Sequence, residues 1–433
     1  MLRIALVNLV PKTDIANYLG FNHGLGSISA VLKQDGHRTA LFVFASPDDD
    51  TKRFEEFCPD LVYVYLTTNQ YSLFVKLIGP IFAKGARLVF VGGPHPAASP
   101  LDTLTISGVS GICIGEGETA ARLIAERFQL GLGLHGIPNV WFVENDKIIQ
   151  NTTGDFAENL DELPFPDRSI FPYSDMLRAS ASRVMGFEFL ATRGCVYGCR
   201  YCINPLWRKL HGKGCVRRRS ASRFIEEIRT VTEQYAYRGI VGFHDDIFTL
   251  DPEWLSEFCS RYPKEIGLPF WCNAHVSNLN EDIIDTLAQA GCFRVHMGIE
   301  CGSEETRSRL LNKRLTNKEI LDKINLLKRH RMKIVTTFMI GLPDETEDDI
   351  LQSVALCRAI APDWVLLSVF CPYPGTSMYD DLVSQQKLDP FFYKHLETDT
   401  FYSAVSTYHQ GTLKSETLRY YFDNFRRLSG VRG

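Results

Sequence analysis

The sequence predicts an α/β protein in two parts, a doubly wound parallel sheet followed by a partial (β/α)6 barrel. Three observations carry this prediction. Short apolar runs alternate with amphipathic stretches, the rhythm of a parallel sheet flanked by helices. A Pro-rich segment, Leu163-Pro164-Phe165-Pro166-Asp167 with Phe171-Pro172, interrupts that rhythm once. The alternation then restarts and runs through six strand–helix repeats, too few for a closed eight-unit barrel. At 433 residues the chain is long enough for two or three compact units.

In the first part the expected strands are Arg3–Val10, Thr39–Phe44, Leu61–Leu66, Arg87–Val91 and Gly111–Ile114. A hairpin is expected at Val140–Glu144 and Lys147–Gln150, and helices at Gly24–Gln34, Tyr71–Ala83 and Glu118–Phe128. Asp35-Gly36 makes a C-cap for the first helix. The second part offers strands at Phe187–Ala191, Ile240–His244, Phe270–Asn273, Phe293–Gly298, Ile334–Ile340 and Trp364–Phe370. Helices are expected between them at Ala221–Tyr235, Pro252–Tyr262, Glu281–Ala290, Glu304–Leu311, Asn317–Arg329 and Glu345–Ile360. The domain plan is thus 1–150, an extended linker 151–185, a barrel 186–380 and a short extension 381–433, whose aromatic residues read as packing.

Composition narrows the function. Hydrophobic residues make up 45% and charged residues 23%, the balance of a globular protein. A net charge of −4 leaves no electrostatic footprint for nucleic acid, and Arg217-Arg218-Arg219 reads as a locally paired surface turn. The apolar start, Met1 to Val10, is brief and runs into Pro11-Lys12, so it reads as a buried strand rather than a targeting segment. With no stretch fit to span a bilayer, a cytoplasmic location is expected.

Nine of the twelve cysteines are scattered among apolar segments, where a free thiol behaves as a small hydrophobe. The other three form Thr192-Arg193-Gly194-Cys195-Val196-Tyr197-Gly198-Cys199-Arg200-Tyr201-Cys202, directly after the first barrel strand. C-x3-C-x2-C spacing lets three thiolates converge on one cuboidal iron–sulfur cluster and leaves the fourth iron without a protein ligand. A zinc knuckle needs a second paired element, for which only His211 and Cys215 lie nearby. In a barrel of this kind, chemistry gathers at the C-terminal ends of the strands, where this loop falls.

The cysteine loop, with Tyr201 just before the third cysteine, resembles the signature of radical S-adenosylmethionine (radical SAM) enzymes. The resemblance extends over about residues 186–380. Val241-Gly242-Phe243-His244-Asp245-Asp246-Ile247-Phe248 is similar to the second-strand motif, implying that Asp245 and Asp246 approach the methionyl part of S-adenosylmethionine. Gly298-Ile299-Glu300-Cys301-Gly302-Ser303 is similar to the fourth-strand motif, with Glu300 toward the ribose. Phe338 to Thr346, with Gly341, resembles the element near the adenine, and Pro372-Tyr373-Pro374-Gly375-Thr376 the loop that closes the sixth unit. Taken singly, the Asp pair would also cap a turn, Glu300 would serve as a loop carboxylate, and Pro343-Asp344-Glu345-Thr346 would start a helix. The resemblance implies a [4Fe–4S] cluster on Cys195, Cys199 and Cys202, S-adenosylmethionine on the open iron, and a 5′-deoxyadenosyl radical. It also implies a small-molecule substrate and a reducing partner such as flavodoxin or ferredoxin.

In the first part, Val91-Gly92-Gly93-Pro94-His95-Pro96 and Ile114-Gly115-Glu116-Gly117-Glu118 place glycines just after strands, where backbone can approach a ligand. Together with the Pro-rich linker they resemble the flavodoxin-like, cobalamin-binding-type domain fused to many radical SAM enzymes, which makes Gly92, Gly93, Gly115 and Gly117 the residues expected to meet cobalamin. An Asp-x-His-x-x-Gly loop, which supplies a cobalt-ligating histidine in some such domains, is lacking, and His95 reads as a loop residue. Two readings stay open. One is a cobalamin-dependent methylase acting on an unactivated carbon. The other is a dehydratase, rearrangement enzyme, cyclase or epimerase whose cobalamin-type domain is empty. An electron-transfer protein fits poorly with three ligands, and a transfer-RNA methylthiolase with the lack of a further cysteine triad. Trp271, Asn273, His275 and His296, at strand ends, are candidates to line the substrate site.

Overall fold

A computed structural model describes residues 1–10, 20–46, 49–84, 87–154, 156–173, 186–212, 215–396 and 413–431. The end of the expected linker, 174–185, and the tail aromatics Phe401, Tyr402 and Tyr408 lie outside the described residues. The chain divides into two units: Met1–Met176, Pro205–Cys215 and Tyr373–Asp399 in the first, and Leu177–Asn204, Val216–Pro372 and Thr400–Gly433 in the second.

The first unit is built on strands β1 (Arg3–Leu9), β2 (Arg38–Phe44), β3 (Leu61–Tyr65), β4 (Leu88–Gly92), β5 (Gly111–Cys113), β6 (Val140–Glu144) and β7 (Lys147–Gln150), in the order β2-β1-β3-β4-β5-β6-β7. The first five pair in parallel, and the β6–β7 hairpin adds an antiparallel edge. Ile4, Ala5, Leu6 and Val7 are all fully buried, as strands covered on both faces require. Ala5, Val7 and Leu9 share one face with Phe42, Val64, Val91 and Ile112, against Phe54, Phe74 and Phe82. On the opposite face, the Tyr63 hydroxyl donates to the Ala121 carbonyl of helix Glu118–Leu130. Helices therefore cover both faces, and the expected doubly wound sheet is present.

The expected helix Tyr71–Ala83 ends instead at Leu77 and continues as a π-turn, Ile78–Phe82. Pro80 accounts for this, because it brings no N–H to the helical ladder. A short helix at Thr51–Phe57 was not anticipated, since only Phe54 of its residues is buried and no apolar stripe marks it. Part of the expected C-terminal extension joins this unit: Tyr393 lies edge-on to Tyr71 and His95, at centroid distances of 5.2 and 5.0 Å.

The second unit carries β8 (Phe187–Phe189), the ribbon β9 (Thr192–Arg193) with β10 (Arg217–Arg218), then β11 (Val241–Phe243), β12 (Phe270–Asn273), β13 (Cys292–Glu300), β14 (Lys333–Ile340) and β15 (Trp364–Val369). Six of these form an open sheet in the order β15-β14-β13-β12-β11-β8, parallel throughout, which is the expected partial barrel. The first strand ends at Phe189 rather than at the predicted Ala191, and the next residues, Thr192 and Arg193, pair antiparallel with Arg218 and Arg217. Arg218 also holds Asp251 at 2.9 Å, so the basic run is locally paired. The tail returns as helix Ser415–Ser429, whose Leu418 and Tyr421 pack with Ile340 and Ile350. No described helix is long and apolar enough to cross a membrane.

A three-cysteine candidate active site

The cysteine loop hangs between two anchored ends. At its start, the Asp245 carboxylate accepts the Ala191 and Thr192 N–H groups at 3.2 and 2.6 Å. Farther along, Arg200 N–H donates to the Leu311 carbonyl at 3.1 Å, and Asn312 Nδ2 to the Gly198 carbonyl at 2.9 Å. The middle is fixed by Tyr197, which stacks on His275 with centroids 3.8 Å apart and donates its hydroxyl to Asn278 Oδ1 at 2.7 Å. Loops after three different strands therefore hold one short segment.

Cys195, Cys199 and Cys202 are all partly accessible. Burial pushes the Cys195 thiol up to about 11, and Asp246 with the other two cysteines adds to the rise. Burial raises Cys202 as well, helped by Asp246 and Cys199. Three sulfurs beside a carboxylate form a donor set that ionises only when a cationic centre compensates it. That chemistry fits an iron–sulfur cluster. Among the described residues no three His, Cys, Asp or Glu side chains are grouped to hold a single metal ion.

The two aspartates after β11 take different parts. Asp245 is fully buried and spends its carboxylate on the backbone leading into the loop. Asp246 is exposed, bonds Asn204 and sits close enough to Cys195 and Cys202 to raise both. Of the pair, only Asp246 is open to a ligand above the cysteines.

Glu300 ends β13 in a left-handed conformation, φ 73°, at a register shift against β14. Such a backbone in a non-glycine residue is strained and persists where its surroundings demand it. Its carboxylate is buried with Lys313 Nζ at 3.4 Å and accepts from Thr337 Oγ1 at 3.2 and 3.3 Å. The Tyr201 hydroxyl also bonds it; burial first, and then Glu300, hold that phenol well above its ordinary range. Gly298 makes the arrangement possible, because a Cβ there would run into Glu300 Oε1. Tyr201 and Glu300 are thus brought together, and Lys313 joins them. The lysine was missed in the sequence, lying thirteen residues beyond Glu300 across a helix, with no motif to flag it.

Gly341 follows β14 with φ 79°, and its N–H donates to Glu345 Oε2 at 2.5 Å, as does Leu342 at 3.2 Å. Burial pushes the Glu345 carboxyl up to about 8. Of the expected lining residues, Trp271 is buried and stacks on His296, centroids 4.4 Å apart, while Asn273 donates to the Asp245 carbonyl. His275 belongs to the cysteine loop's support instead.

In the first unit, Gly92 ends β4 and Gly93 follows it, while Gly115 and Gly117 follow the neighbouring β5, so all four lie at the C-terminal edge of the sheet and are partly accessible. Gly93, at φ 104°, lies so close to Leu66 that a Cβ would meet its carbonyl at 2.8 Å. His95 and Asn69 are buried beside this edge, and His95 Nε2 and Asn69 Nδ2 have no hydrogen-bond partner among the described residues. Orphaned polar atoms next to open backbone suit a large ligand seated on the edge. His211, weighed in the sequence only as a zinc ligand, instead lies tilted against Phe156 and covers Gly115, where a Cβ would touch its ring at 2.6 Å.

Residues 189–357 match the family model of the radical SAM superfamily, and residues 14–125 match that of the B12 binding domain. The chain carries a radical SAM domain and a B12-binding domain. This chain is 26% identical to an uncharacterized methyltransferase of Pyrococcus horikoshii over 345 residues, covering 78% of this chain and 73% of that protein. It is 25% identical to the cytidylyl-2-hydroxyethylphosphonate methyltransferase of Streptomyces wedmorensis over 378 residues, covering 74% and 68%. Its fold matches the radical S-adenosylmethionine methyltransferase TsrM from Kitasatospora setae with a TM-score of 0.69 at 20% identity, over 89% of this chain and 76% of that one. The cobalamin-dependent radical enzyme OxsB matches at the same TM-score and 16% identity, over the whole of this chain and 62% of its own.

Proposed function

We propose that this protein is a cobalamin-dependent radical methylase that removes hydrogen from an unactivated carbon of a small molecule and replaces it with a methyl group. The observation that carries the reading is the three-thiol loop, which supplies ligands for three irons of a four-iron cluster and leaves the fourth for S-adenosylmethionine. Two relatives are named as methyltransferases, which supports methylation over a dehydration or rearrangement. The orphaned nitrogens of His95 and Asn69 at the glycine edge support an occupied rather than an empty B12-type domain.

When bound, the cluster would supply the electron that cleaves S-adenosylmethionine to the 5′-deoxyadenosyl radical, and cobalamin would carry the methyl group. The chain's own residues do the rest. Cys195, Cys199 and Cys202 hold the cluster, with Asp245 fixing the entry to their loop. Glu300 takes the ribose hydroxyls, and Lys313 offsets its charge in a buried place where an uncompensated carboxylate would be costly. Tyr201 holds Glu300 from the cluster side. Asp246 faces the methionyl ammonium, Gly341 leaves room for the adenine, and Gly92, Gly93, Gly115 and Gly117 bring backbone to cobalamin. Electrons come from a small carrier of the flavodoxin or ferredoxin kind.

Anaerobic reconstitution with iron, sulfide and hydroxocobalamin, followed by gel filtration and a visible spectrum, tests the reading. Stoichiometric corrinoid with the protein, together with 5′-deoxyadenosine under reductant, is expected. Protein that forms 5′-deoxyadenosine but retains no corrinoid would instead be a non-methylating radical enzyme.

A further inference from the structure

His275 lies at the C-terminal end of β12 and caps the turn Val276–Asn278. Its Nδ1 accepts the Ser277 N–H at 3.3 Å, so the lone pair is on Nδ1 and the neutral ring carries its proton on Nε2. Burial, and then Lys313, push its basicity down to about 3, so the ring stays neutral through the physiological range. The Nε2 atom is buried and has no hydrogen-bond partner among the described residues. A buried N–H without an acceptor is costly, and such a group calls for a missing partner.

The place of the ring says what that partner is. It lies flat on Tyr197, 18° from parallel, and Tyr197 stands midway between Cys195 and Cys199. Asn278, on the same turn, accepts the Tyr197 hydroxyl. The turn therefore grips the segment between two ligands from both the face and the edge of one aromatic ring. A single fixed donor is left against a loop built to carry electron-rich sulfur.

We propose that His275 is a positioning residue that donates its Nε2–H to the iron–sulfur cluster on Cys195, Cys199 and Cys202, and thereby raises the cluster's reduction potential. Hydrogen bonds to cluster or cysteine sulfur stabilise the more negative, reduced state. The inference rests on the reading of this loop as a cluster site.

His275→Phe keeps a flat ring on Tyr197 and deletes the N–H, whereas His275→Gln keeps a donor. After anaerobic reconstitution, iron and sulfide content are measured first, and the midpoint potential is then read by redox titration followed by electron paramagnetic resonance. The expected result is a wild-type cluster content in both variants, a more negative midpoint for His275→Phe, and a midpoint near wild type for His275→Gln. Equal midpoints in wild type and His275→Phe, or equal shifts in both variants, would overturn the proposal. Should His275→Phe lose its cluster, the wild-type holoprotein decides. Protein labelled with 15N-histidine is expected to show a weak nitrogen coupling to the reduced cluster in pulsed resonance, and a silent spectrum overturns the proposal. If wild-type protein assembled no cluster, the reading of the loop itself would be what failed.

Discussion

Asp245 Oδ1 accepts the Thr192 N–H at 2.6 Å while its Oδ2 accepts the Ala191 N–H at 3.2 Å, so one side chain joins the end of β11 to the strand that delivers the cysteine loop. Removing it leaves two buried donors with nothing to bond. Each such loss costs about 1–3 kcal/mol, so Asp245→Ala is expected to destabilise the second unit by roughly 2–6 kcal/mol. It should also lower the iron bound on reconstitution, since the loop's entry is released. Urea unfolding and iron analysis check both, and wild-type values for the two would remove Asp245 from this role.

Glu345 gives a pH signature. Its ordinary value is 4.5 and burial lifts it to about 8, so the folded chain holds a proton that the unfolded chain releases. For a carboxyl raised in this way, the contribution to stability is full below about 4.5 and is lost as pH rises through 8. Both N–H donors, from Gly341 and Leu342, bond the same carboxylate oxygen, which a glutamine carbonyl replaces. Glu345→Gln should therefore gain stability relative to wild type between pH 5 and 8. Paired thermal melts across that range measure the divergence, and parallel curves would refute it.

The pattern of legibility in the sequence has a physical basis. Strands β1, β3 and β12 were readable because residues buried on both faces leave an unbroken apolar run. The cysteine loop was readable because its ligands are local in sequence. The roles of Asp245 and Asp246 were not separable, because which of two adjacent carboxylates turns inward depends on how the chain leaves β11, and no spacing encodes that. Lys313 and the His275–Tyr197 stack were invisible for a related reason: each is a contact between loops far apart in sequence. The break at Pro80 was legible in principle, and the apolar periodicity around it outweighed the missing N–H.

The cysteines should act as a unit. Replacing any one of Cys195, Cys199 or Cys202 by Ala removes a third of the ligands from a centre that already has an open iron. Each single variant is expected to lose most of its iron and to form 5′-deoxyadenosine at background rate. Cys292→Ala, by contrast, changes a buried thiol remote from the loop in sequence and should keep the cluster. Iron content and deoxyadenosine yield on the four proteins test this, and a cluster that survives loss of Cys199 would refute the ligand set.

Gly298→Ala separates cosubstrate binding from cluster assembly. The glycine sits two residues before Glu300 on β13, and its Cβ would enter the space of Glu300 Oε1 and come within 2.9 Å of Lys313 Nζ. The carboxylate must then swing away from Lys313, Thr337 and Tyr201 together. None of these groups is a cluster ligand, so iron content should stay at the wild-type level. Affinity for S-adenosylmethionine should fall about tenfold or more, since losing one charged, well-placed hydrogen bond is worth on the order of 1.5–3 kcal/mol. Equilibrium dialysis with labelled S-adenosylmethionine on reconstituted protein gives the number. Unchanged affinity in Gly298→Ala would mean that Glu300 serves only to tie Tyr201 and Lys313 together, and that the ribose is held elsewhere.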